Sequence, residues 1–171
     1  MLIGLSLGLL GCAFLWPTKN TTAFNFSKNL SLKPNQAKLI RYKSYDKQNR
    51  PFVIESENGQ HISKDHVLLH QLKITLSLDN GAEIKMKGTE GVYNPLSKQM
   101  KLMGLVCVDH SNGTHLKTCS ANINFEKGTA ENNELVEGYN HQSRIKSQGF
   151  KVLEKGQHII FLGSPEVVTH H

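Results

Sequence analysis

Nine histidines are the most reactive-looking feature of this 171-residue sequence. Structural and catalytic zinc sites need His, Cys or carboxylate donors that converge on one point. His66 and His70 stand four apart, yet "HVLLHQLKITL" reads as an extended strand rather than a helix. His110 and His115 bracket a turn, and His170 and His171 end the chain. No Cys or carboxylate completes a ligand set around any pair, so neither a metal nor a cofactor is expected. The acidic residues fall mostly on outward strand positions beside turns, where solvation is their ordinary role. Two carboxylates brought together in space could still form an acid–base pair, which spacing alone does not decide. No nucleophile elbow, phosphate-binding glycine loop or Cys–His pairing is present, so no catalytic residue is assigned.

Cys107 and Cys119 flank one hairpin. With Asn112-Gly113 as a two-residue turn, Cys107 faces Thr118, Cys119 faces Val106, and the thiols point to opposite faces. A three-residue loop from Asn112 to Thr114 would set them opposite each other. The reading is of buried free thiols. Cys12 has no partner in either case, and Asn112-Gly113-Thr114 reads as a turn.

The elements that carry these residues are strands. From Phe52 onward the chain alternates apolar and polar residues with turn signals every 10 to 14 residues, the pattern of a sandwich, barrel or roll. "LKITLSL" places Leu72, Ile74, Leu76 and Leu78 on one face. Asp79-Asn80-Gly81 is a hairpin turn that uses positive φ, and "AEIKMK" returns with Ala82, Ile84 and Met86 inward. Further turns are marked by "NPLSK", Ser111-Asn112-Gly113, Glu126-Lys127-Gly128 and Glu154-Lys155-Gly156. "QAKLIRYKSYD" is ambiguous between a short strand and a turn of helix. A looser repeat runs through "IKMKGTEGVY", "LKTCSANINF" and "IKSQGFKV", which begin at Ile84, Leu116 and Ile145. Such units stack as strand–turn–strand pairs in a solenoid or elongated roll, which leaves an unpaired edge at each end.

The chain holds 20 Lys and Arg against 14 Asp and Glu, a net charge of +6. The lysines are scattered along strands. A basic surface suits a polyanion such as acidic lipid or anionic glycolipid as well as ordinary solubility; with 7% aromatics and no nucleic-acid motif, nucleic acid is not expected as a partner.

"MLIGLSLGLLGCAFLWP" carries no charge and ends at Pro17. It lacks the basic region of a signal peptide, and Thr21-Thr22-Ala23 is a poor cleavage site. "LLGC" is lipobox-like, but the apolar run continues past Cys12. The reading is an uncleaved transmembrane anchor over 1–16, near the lower length limit of about 17 residues, with Trp16 as interfacial aromatic. Gly4, Gly8 and Cys12 put small residues on one helix face, which permits close helix packing. Residues 17–36, rich in Asn, Ser, Thr, Lys and Pro, form a tether to a β domain over 37–171. Its inward aliphatics either fill a closed core or line an open trough able to hold acyl chains.

The order of "GTEGVYNPLSKQMKLMGLVCVDHSNGTHLKTCSANINFEKGTAENNELVEG" and "SRIKSQGFKVLEKGQHIIFLGSPEVV" resembles the LptC family of lipopolysaccharide export proteins, most of all its alphaproteobacterial members. The shared pattern is Gly/Ala-x-Tyr/Phe, a polar turn, a Leu-x-Gly-x-Val strand, a "GT-A-" turn, then "GF" and "LG". It covers about residues 50 to 168. Family members usually carry basic residues before the helix, and this chain has none.

The resemblance implies an all-β fold, an open V-shaped β-jellyroll behind one N-terminal transmembrane helix. It implies a single-pass protein of the Gram-negative inner membrane whose C-terminal domain lies in the periplasm, with no enzymatic activity. Lipopolysaccharide would pass from the inner-membrane ABC exporter complex through the trough to a periplasmic LptA-like bridge protein. Docking would be by β-augmentation, and the helix would pack against the exporter. Phase and pattern then put Leu72, Ile74, Leu76, Ile84, Met86, Leu102, Val106, Val108, Ile123, Phe125, Phe150, Val152, Ile160 and Leu162 on the lipid-binding inner face. The edge toward the exporter falls on Phe52, Val53, Ile54 and Glu55, and that toward the bridge protein on Pro165, Glu166, Val167 and Val168. The rival readings are a carbohydrate-binding or hydrolytic jelly roll and a structural envelope tether with a closed core.

Overall fold

A computed structural model describes residues 36–169. The anchor over 1–16, with Gly4, Gly8 and Cys12, lies outside the described residues, as does nearly all of the tether. Among the described residues no helix is long and apolar enough to cross a membrane.

Six long strands come first, β1 (Gln36–Tyr45), β2 (Pro51–Ser63), β3 (His66–Ser77), β4 (Glu83–Asn94), β5 (Gln99–His110) and β6 (His115–Asn124). Six short ones follow, β7 (Thr129–Asn132), β8 (Val136–Tyr139), β9 (Ser143–Ser147), β10 (Gly149–Leu153), β11 (His158–Leu162) and β12 (Glu166–Thr169). All twelve belong to one antiparallel sheet. The first six pair in sequence order, and then the sheet forks: Asn122–Asn124 of β6 pair with β7, which leads to β10 and β11, while His115–Thr118 pair with β8, which leads to β9 and β12. "QAKLIRYKSY" is therefore a strand, and the all-β expectation holds over the described chain.

The fork continues a crease that crosses the whole sheet. Regular pairing skips Leu39 in β1 and Gln71 in β3, and it shifts at Gly104-Leu105 in β5. Leu39, Gln71 and Gly104 all have positive φ, at 53°, 52° and 83°. Bulges of this kind bend a strand and deepen its twist. Gly104 is required where it stands, because a Cβ there would lie 2.8 Å from Thr89 Cβ. Gly163, at φ 78° between β11 and β12, meets the same kind of obstacle, with Gln148 Cβ at 2.9 Å. The looser repeat that begins at Ile84, Leu116 and Ile145 is thus one passage over the crease, made three times. Residues 84–93, 116–125 and 145–152 each start on one half of the sheet and cross to the other.

Interrupting a ladder orphans carbonyls and amides, and buried ones must find other partners. Four of the five buried polar residues sit at the crease. Ser56 Oγ lies 2.7 Å from the carbonyl oxygens of Asn58 and His70 and accepts the His70 N–H. Ser147 Oγ serves the carbonyls of Gly149 and Leu162. At the fork, Asn132 Nδ2 donates to Thr118 Oγ1 at 2.5 Å and to the Ser120 carbonyl at 2.9 Å, and Thr118 donates to the Leu135 carbonyl.

The two halves pack face to face on an apolar core. Tyr42, on one half, lies 5.4 Å from Tyr93 on the other, and Phe52 stacks on Phe125 at 4.6 Å. Such pairs add about 0.5–1.5 kcal/mol beyond the area they bury. Burial, and then the Tyr42 phenol beside it, push the Tyr93 phenol far above its ordinary pKa.

Two expectations change. The hairpin between β5 and β6 closes with His110 N–H donating to the Thr114 carbonyl, so its loop is Ser111–Gly113 and Cys107 pairs with Lys117. Both thiols therefore lie on the outer face, Cys107 half-buried and Cys119 exposed, and both are free. Nor is Phe52–Glu55 an edge. β2 is hydrogen-bonded to β1 on one side and β3 on the other, so the free edge at that end is β1. Pro165–Val168 does lead into an edge, since β12 pairs with β9 alone.

Candidate functional site

Between the two halves, on the side away from the crease, lies an apolar pocket of about 90 Å³. Its walls come from both halves: Phe52, Leu76, Ile84, Met86, Val108 and Leu116 on one, Ala121, Ile123, Phe125, Phe150, Val152 and Ile159 on the other. Alternation puts them there. In the first half of β4 the buried positions are Ile84, Met86 and Gly88, and between them Lys85 and Lys87 point out.

The fourteen residues expected on the inner face divide into three groups. Leu76, Ile84, Met86, Val108, Ile123, Phe125, Phe150 and Val152 line the pocket. Leu72, Ile74, Leu102 and Val106 are inward and buried but lie nearer the crease, where the halves meet and leave no space; Leu72 and Leu102 both press on Gly91. Ile160 and Leu162 are on the wrong face. The β10–β11 register sets Val152 opposite Ile159 and Phe150 opposite Phe161, so Ile159 and Phe161 face inward, and Ile160, paired with Lys151, is 47% exposed. Phe52, placed by the sequence on a partner edge, is instead a wall of the pocket, as are Leu78, Leu116 and Ala130.

Polar groups gather only at the mouth. Asp46, in the β1–β2 turn, accepts Arg50 Nε at 3.0 Å and the Lys155 ammonium on the same carboxylate oxygen. Its other oxygen accepts the backbone N–H groups of Gln48 and Arg50 at 2.8 and 3.0 Å. Arg50 also pairs with Asp79, and Lys155 donates to Gln48 Oε1 at 2.6 Å. Asp46 and Lys155 side chains are 8% and 10% exposed, so this is a largely desolvated cluster in which each charge depends on its partner.

Nothing here is arranged for bond-making. His110 borders the pocket, but its Nδ1 accepts the Asn112 N–H. His115 is 2.6 Å from Asp109 and stacks on Tyr139 outside the pocket. His66 and His70 lie on β3 facing other partners. No group of three His, Cys, Asp or Glu that could hold a metal occurs among the described residues. What the geometry offers is an apolar enclosure with a charged rim and free sheet edges.

No curated protein matches the chain. The family model described as lipopolysaccharide-assembly, LptC-related, matches residues 2–167. An all-β sheet folded about a crease around an apolar pocket agrees with the fold that the sequence resemblance implied. The chain therefore belongs to the LptC-related family of lipopolysaccharide-assembly proteins, a component of lipopolysaccharide transport and not an enzyme.

Proposed function

We propose that the pocket between the two halves is the wide end of a passage for the acyl chains of lipopolysaccharide. In this reading the protein accepts the lipid from the inner-membrane ABC exporter and hands it to an LptA-like bridge protein in the periplasm. The N-terminal segment anchors it as a single-pass protein, with Gly4, Gly8 and Cys12 against the exporter's helices. The observation that carries the reading is the apolar lining drawn from both halves, with its charges confined to the rim. Burial of acyl surface there stabilises the complex by about 25 cal/mol per Å², and a basic exterior attracts an anionic glycolipid. At about 90 Å³ the pocket is smaller than the roughly 150 Å³ at which an apolar cavity takes one benzene. Loading therefore requires the halves to part at the mouth, and the crease is the hinge.

Photo-crosslinking tests this. A benzophenone side chain at Val108, on the pocket wall, is expected to capture lipopolysaccharide in cells, and the same probe at Cys119, on the outer face, is not. Equal yields at the two positions would remove the pocket from the pathway.

A further inference from the structure

The charged cluster at the mouth joins two turns 109 residues apart in the chain. One is the β1–β2 turn with Asp46, Gln48 and Arg50; the other is the β10–β11 turn with Lys155. The second turn is unusual. Glu154, Lys155 and Gly156 follow one another at φ 48°, 59° and 94°. Consecutive non-glycine residues in this region are held only where their surroundings insist on it. Lys155 N–H donates to the Gly128 carbonyl at 2.9 Å. The Lys155 stem runs directly over Gly128, where a Cβ would fall 2.0 Å from Lys155 Cγ. Gly156 in turn backs onto Ile84 of the opposite half, whose Cδ1 would stand 3.0 Å from a Cβ there. The turn is seated on the mouth of the pocket, and its lysine is aimed across it.

We infer that Asp46 closes the mouth by occupying, on Lys155 and Arg50, the place that a phosphate of the incoming amphiphile takes when the protein loads. The ligand chemistry is a phosphate monoester carried on a molecule whose acyl chains enter the pocket. Two cations stand at the rim of an apolar cavity, and the cavity is closed when Asp46 pairs with both, Arg50 holding Asp79 as well. A phosphate carries up to two charges and three acceptor oxygens, so it can satisfy Lys155 and the Arg50 fork together, where Asp46 gives each one bond through a single oxygen. The exchange breaks the ion pair between Asp46 and Lys155, so that the two turns are joined through the phosphate and no longer directly, and the mouth widens by the size of that group. The inference rests on the lipid-carrying reading above and adds to it the chemical group that opens the mouth.

The test titrates the full chain in detergent with lipopolysaccharide and with the same material stripped of its phosphates. Wild type should prefer the phosphorylated form. Asp46→Asn removes the competitor and should widen that preference by about tenfold, the effect of one charge-assisted hydrogen bond. Lys155→Gln also unties the mouth but removes a phosphate partner, and should narrow the preference by a similar factor; Lys155→Arg should keep it. Inorganic phosphate should weaken binding of the phosphorylated form alone. If both neutralising variants change affinity for the two lipids equally, Asp46–Lys155 is only a structural tie and the inference falls while the transport reading stands. If wild type binds neither lipid, both fall. If inorganic phosphate without lipid binds as tightly as lipopolysaccharide, its source is not the amphiphile and the inference is overturned.

Discussion

At the scale of single residues, the crease depends on groups that no other side chain replaces. Gly104 combines a φ of 83° with a Thr89 Cβ only 2.8 Å from where its own Cβ would be. Neither the backbone nor Thr89 can yield without disturbing the ladder, because Thr89 Oγ1 also accepts the Leu105 N–H. Gly104→Ala is therefore expected to cost about 1–3 kcal/mol, read as a lower urea midpoint. Gly163→Ala should cost less, since Gln148 stands at the bend between β9 and β10, outside either ladder, where its backbone can shift and carry its Cβ away. Equal losses at the two sites would mean that backbone conformation alone, and not the neighbour, sets the penalty. Asn132 offers a second case. Its Nδ2 holds Thr118 and the Ser120 carbonyl at the fork of β6, so Asn132→Ala leaves buried partners unpaired at about 1–3 kcal/mol. The slope of the urea transition should not change, because the area exposed on unfolding is almost the same.

At the scale of elements, the sequence was most legible where one face is buried and the other is wet. The alternation through Leu72, Ile74 and Leu76, and through Ile84 and Met86, fixes which side chains turn inward, since a slip of one residue would bury lysines. It failed in "HIIFL", where four apolar residues run together and no polar residue marks the phase. There the turn at Glu154–Gly156 decides the register, which put Ile159 and Phe161 inward and left Ile160 outside. β1 was hard to read for a different reason. Leu39 at positive φ breaks the period, so Ala37 and Ile40, both buried, stand three apart, as in a helix. With "QAKLIRYKSYD" left between strand and helix, the edge was also misplaced, because β2 then looked outermost. The mouth cluster was not legible at all: Asp46 and Lys155 meet only through the fold, and neither lies in a pattern that points to the other.

At the scale of the whole molecule, the sheet does not close among the described residues. β1, β11 and β12 each have one unpaired side, and open edges invite another strand. The two ends differ in how they are presented. β1 follows directly from the N-terminal segment; in the proposed reading that segment is anchored beside the exporter, and β1 would take the docking role first assigned to Phe52–Glu55. β12 lies at the other end of the chain, with Val167 and Val168 each 57% exposed and only β9 beside it. It is short and preceded by Pro165, and both features keep an edge from pairing indiscriminately. Removing it exposes β9, which stays paired with β8, so the pocket walls are untouched. Deleting residues 164–171 is thus expected to lower capture of an LptA-like bridge protein by at least about tenfold while exporter binding and lipopolysaccharide crosslinking at Val108 persist. Co-purification from cells with each partner in turn reads this out. Loss of exporter binding on the same deletion would reverse the direction of the chain in the assembly, because the two partners would then share one end of the sheet.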